Sequence, residues 1–72
     1  MFECQVRYQD KWWHLAHRKE EGQAKRRCTE HFKLHGQVQE YRILNNGDPW
    51  LTGKTISPRA ADPRVEWRED FK

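Results

Sequence analysis

The chain is short of most features that announce a function. Two cysteines, Cys4 and Cys28, are too few for a disulfide framework. Reduced thiols in a cytosolic protein are the simplest expectation. No stretch approaches the roughly 20 apolar residues of a membrane span. The first residues lack the basic start and apolar run of a signal peptide. There is no Gly-rich phosphate loop, no GxSxG motif and no carboxylate pair in a plausible cleft. A chain of 72 residues also has little room for a pocket, so the expectation is a non-catalytic protein without a cofactor. Internal repeats, low-complexity tracts and the signatures of RRM, zinc-finger and helix-turn-helix proteins are missing as well.

What is present is polar and aromatic. Hydrophobic and charged residues each make up 35%, and mean hydropathy is -1.27. Such a chain forms one domain with a small core. With few aliphatic residues, its four Trp, three Phe and two Tyr are expected to supply much of that core. Net charge is +3. Residues 1–45 hold nine Lys/Arg against six Asp/Glu, and residues 46–72 hold five of each, so the excess lies in the first part. That balance permits a nucleic-acid partner without demanding one.

The most regular stretch is Gln23 to Gly36, QAKRRCTEHFKLHG. On a wheel of about 100° per residue, Cys28, His31, Phe32 and His35 fall within about 80° of Ala24. This narrow, half-apolar stripe suits a helix lying on a sheet. Lys25, Arg26, Thr29 and Lys33 fall opposite. No proline interrupts the run, Gly36 is placed as a C-terminal cap, and Glu20 and Glu21 suit the positive end of the helix. The predicted helix starts near Gly22. Its outer face is either a solvated surface, as most charge runs are, or a stripe facing a polyanion.

Phe2 to Tyr8 alternates apolar and polar residues, predicting a strand with Phe2, Cys4, Val6 and Tyr8 on one face. Gln9-Asp10-Lys11 reads as a tight turn and Trp12 to His17 as the returning strand. In that strand Trp13, Leu15 and His17 form the more apolar face, expected toward the helix, with Trp12 partly exposed behind. Val38 to Leu44 reads as a third strand, Asn45-Asn46-Gly47-Asp48 as a turn, and Pro49 to Ile56 as a fourth strand. The expected fold is α+β: a small antiparallel sheet with one packed helix, order β-β-α-β-β, over residues 1–56. Residues 57–72 form a C-terminal extension. Pro58 and Pro63 interrupt it, and Val65 and Trp67 either dock as a last strand or belong to a tail.

Four His and two Cys raise the question of zinc. Cys28, His31 and His35 share a helix face, and His14 and His17 form an HxxH on the second strand. A finger needs a second Cys close to the first, however, and three-residue spacing on a regular strand points His14 and His17 to opposite faces. The expectation is therefore no metal, with Cys28 a small core residue. A Cys28/His31 nucleophile and base is disfavoured for the same reason, since a reactive thiolate needs access. The remaining signal is cations interleaved with aromatics: Lys11, Trp12, Trp13, Arg18, Lys19, Lys25, Arg26, Arg27 and Lys33.

Gln23-Ala24-Lys25-Arg26, then His35-Gly36-x-Val38, Asn46-Gly47 and Trp50-Leu51, resemble part of the small phage-encoded anti-CRISPR proteins that act on type I CRISPR surveillance complexes. The similar stretch covers residues 23–51. The resemblance implies an inhibitor in the bacterial host cytoplasm. It would dock on Cas7-type backbone subunits, where guide RNA meets target DNA, with Lys25 and Arg26 in contact. Our own wheel and strand reading extends that surface to Lys33, Thr29, Arg18 and Lys19. Direct binding of nucleic acid is the alternative. A zinc-stabilised or purely structural interaction module is the third reading, and exposed tryptophans equally suit a homodimer surface.

Overall fold

Two left-handed turns frame the sheet. Gln9 and Asp10 have φ of 54° and 62°, and Asn46 and Gly47 have 51° and 88°. Paired positive φ is the type I′ geometry whose twist matches that of the strands it joins. The first turn links β1 (Phe2–Tyr8) to β2 (Lys11–Arg18), so Lys11 begins a strand rather than completing the turn. The second links β3 (Glu40–Asn45) to β4 (Asp48–Ile56). Between the hairpins runs α1 (Glu21–His35), and β5 (Arg64–Arg68) follows. The structure is a computed structural model that describes residues 1–36, 40–56 and 64–69. Val38 and the connection through Pro58 and Pro63 lie outside the described residues.

Among the described residues, five strands form one antiparallel sheet in the order β2-β1-β3-β4-β5. α1 carries the chain from the edge strand β2 across β1 to β3. One helix on an antiparallel sheet is the architecture that the periodicities predict, although five strands to one helix make it sheet-dominated. The Val65–Trp67 segment is a docked strand, with Gly53 opposite Trp67 and Thr55 opposite Val65. Gly53 makes this docking possible. A Cβ there would lie 2.6 Å from Val65 Cγ1 and 2.8 Å from the Trp67 ring.

α1 ends as expected: Gly36 has φ 67°, and its N–H donates to Phe32 O at 2.8 Å. The helix buries Ala24, Cys28 and Phe32, one per turn, against Cys4, Val6, Tyr41, Ile43 and Leu51. Full burial of a side chain the size of Phe32 stabilises by about 2–3 kcal/mol. His35 was expected on this stripe but is exposed in the last turn. The aromatic core is smaller than the composition suggests. Phe32 and Tyr41 are fully buried, and Phe2 and Trp67 pack at the margin, but Trp13 is 50% exposed.

Two β-bulges change which side chains share a face. Cys4 pairs with Ala16 and Gln5 with His14, so Leu15 is an extra residue in β2. Ile43 pairs with Leu51 and Leu44 with Pro49, so Trp50 is an extra residue in β4. An inserted residue shifts every side chain beyond it to the other face. Trp13, Leu15 and His17 therefore do not form one face. Trp13 lies opposite Val6 on the helix side, and Leu15 packs against the core. His17 lies opposite Glu3 on the side that the helix leaves open.

Candidate functional site

On the helix side, Arg18 at the end of β2 meets Gln23, Arg26, Arg27 and Glu30 of α1 around a shallow groove of about 330 Å³. Positions 23, 26, 27 and 30 lie along one flank of the helix, pointing away from the Ala24–Cys28–Phe32 stripe. The Arg18 guanidinium donates to its neighbour's carbonyl, His17 O, at 2.7 Å. The lining thus holds three guanidiniums and one carboxylate. A guanidinium is a planar fork of donors suited to phosphate and carboxylate oxygens.

The six residues singled out from the sequence divide. Arg18 and Arg26 come together in this groove. Lys33 is exposed on the last turn of α1, and Lys19 is exposed in the link from β2 to α1, both outside the groove lining. Lys25 and Thr29 are half-buried on the opposite flank of the helix rather than on its outer face. The Thr29 hydroxyl donates to Lys25 O at 3.1 Å, so its polar group is taken up by the helix backbone. Arg27 and Gln23 were missed as groove residues. On the wheel Arg27 sits beside the apolar stripe; it is half-buried like Lys25, and only the position of β2 shows that it lines the groove.

The Cys28/His31/His35 set does not form a ligand cluster. Cys4 and Cys28 are free and fully buried beside one another. The Cys4 thiol donates to Ala24 O at 3.4 Å. Its hydrogen bond with Cys28, together with burial, pushes the Cys28 thiol far above its ordinary range, so it stays protonated and unreactive. His31 Nδ1 and the Tyr41 hydroxyl are 2.7 Å apart. Burial raises the Tyr41 hydroxyl and lowers His31, with the neighbouring His35 and Arg27 charges adding to the effect on His31. The favoured arrangement is the Tyr41 hydroxyl donating a hydrogen bond to Nδ1 of neutral His31.

The open side of the sheet carries a second polar constellation. Glu3 Oε2 is 2.9 Å from His14 Nδ1 and accepts from Gln5 Nε2 at 3.0 Å. The His14 bond, then that of Gln5, holds the Glu3 carboxyl below its ordinary value. Arg42 donates to Gln5 and stacks over Trp12, 4.3 Å from the ring centroid. His14 and His17 have ring centroids 4.6 Å apart. The regular-strand reading separated these two histidines, and the Leu15 bulge reunites them.

No helix among the described residues is long and apolar enough to cross a membrane. Compared with protein-family models, with curated proteins and with solved structures, the chain matches none.

Proposed function

We propose that the protein is a non-catalytic binding module whose arginine groove receives phosphate groups of a nucleic acid, free or held in a nucleoprotein complex. The observation that carries this reading is the convergence of Arg18, Arg26 and Arg27 on one groove with a single carboxylate in its lining. Three guanidiniums from two elements match successive backbone phosphates better than one solvated stripe does.

In the form that the anti-CRISPR resemblance implies, the groove docks on a type I CRISPR surveillance complex and blocks target DNA. Electrostatics then decides what it touches. A protein channel that holds RNA is itself basic and repels a basic face, whereas guide-RNA phosphates attract it. The inhibitor form therefore places Arg26 and Arg27 against RNA at the margin of the Cas7-type subunits, with Lys25, Lys33, Lys19 and Thr29 around that contact.

Anisotropy titrations of labelled oligonucleotides and of a purified type I complex test both forms. A free nucleic-acid binder with about three phosphate contacts shows a log–log salt slope of roughly -2 to -3. An inhibitor binds the complex tightly and free oligonucleotides weakly. Arg26→Glu with Arg27→Glu abolishes binding in either case while leaving Tm nearly unchanged. Lys25→Glu with Lys33→Glu weakens it less. Wild-type binding by the Arg26/Arg27 pair variant rejects the groove as the site.

A further inference from the structure

We infer that Glu3, His14 and His17 form a binding site for a divalent transition-metal ion, zinc being the best match, on the open face of the sheet. One donor atom from each of the three residues lies within 4.8 Å of the other two. An ion held at about 2.0–2.1 Å by each donor spaces tetrahedral ligands roughly 3.3 Å apart. Glu3 and His14 are already closer than that, at 2.9 Å. The remaining adjustment falls on the imidazoles, both exposed and able to rotate at the side chain.

The site exists because of one inserted residue. Glu3 pairs directly with His17 across the β1–β2 ladder. The Leu15 bulge puts His14 next along the same face, with Leu15 itself turned toward the core. Two borderline imidazoles beside one hard carboxylate suit zinc and its first-row neighbours over magnesium or calcium, which take all-oxygen sites. Three protein ligands leave a coordination position for water or for a donor from a partner.

The surroundings support the donors. Gln5 holds the Glu3 carboxylate from one side, and Arg42 holds Gln5 in turn. Outer partners of this kind orient metal ligands. The arginines nearby are engaged elsewhere: Arg42 lies over Trp12, and Arg7 faces Glu40 at 3.4 Å and Asp10 at 3.8 Å.

Calorimetric titration of the reduced full-length chain with zinc chloride tests the site, with cobalt(II) as a spectroscopic substitute. The expected result is one ion per chain and cobalt bands without a thiolate charge-transfer band. His14→Ala and His17→Ala each lower affinity by more than the roughly 10–100-fold expected for the outer partner Gln5→Leu. His31→Ala with His35→Ala leaves it unchanged. In the wild type, zinc shifts the NMR signals of the His14 and His17 rings before any others, a reading that requires no variant to fold. The proposal is overturned by an absence of zinc binding, by a thiolate band, by binding that survives His14→Ala with His17→Ala in a folded chain, or by ring shifts confined to His31 and His35.

Discussion

The two sides of the sheet use the same strands in opposite ways. The side under α1 holds Cys4, Val6, Tyr41, Ile43 and Leu51, and its polar atoms are paired inside the protein: thiol to carbonyl, imidazole to phenol. The other side holds Glu3, Gln5, Trp12, His14, His17 and Arg42 in a chain of partly exposed polar and ring contacts. The first arrangement stabilises through dryness. The second contributes little to stability, because partly exposed ion pairs are worth about 0–1 kcal/mol. Residues of similar chemistry therefore take different parts: His31 packs against Tyr41 at the core, and His14 pairs with Glu3 at the surface.

Substitutions on the two sides should separate cleanly. The largest effect is expected from Phe32→Ala, which opens a cavity under α1 and costs about 3–5 kcal/mol in a denaturant melt. If it costs no more than an open-face change, the dry side is not the stabilising one. Gly53→Ala comes next. Its methyl collides with Val65 and Trp67, costs about 1–3 kcal/mol, and red-shifts Trp emission as β5 lifts. Acid reaches the dry side through His31. Its folded pKa lies below the unfolded value of about 6.5, so the unfolded chain binds the proton more readily. Stability is complete above that value and falls as pH drops toward the folded pKa. His31→Gln should flatten that segment of a Tm-versus-pH curve. The smallest change is expected from Arg42→Ala, which removes the cation over Trp12 and costs about 0.5–1 kcal/mol. A larger loss would mean that the open face shares in the core.

The helix was legible because its cause is local. Ala24, Cys28 and Phe32 recur at helical spacing and Gly36 supplies the left-handed cap. Asn46-Gly47 announced its turn for a similar reason. The Leu15 bulge left no such mark, since alternation within Trp12–His17 is compatible with a regular strand and only pairing with β1 reveals the extra residue. The same limit separated Lys25 from Arg27. A wheel orders residues around an axis but does not show where the sheet stops, so Lys25 and Arg27, both half-buried, exchanged places, and only Arg27 lines the groove. Scarce aliphatic residues suggested that tryptophans go inside. The bulged Trp50 instead stays outside the core, 37% exposed, and donates to Glu21 at 2.7 Å.

The inserted Leu15 also affects how copies of the chain can meet. It sits on an outermost strand, where it interrupts the row of amide and carbonyl groups that a neighbouring chain needs for zippering. The opposite border is a five-residue strand bearing Arg64, Glu66 and Arg68, a short and charged margin. Fibril-like lateral growth is thus blunted at both edges formed by the described strands. Among the described residues, side chains such as Leu34, 79% exposed, are then better placed for self-association than the strand edges.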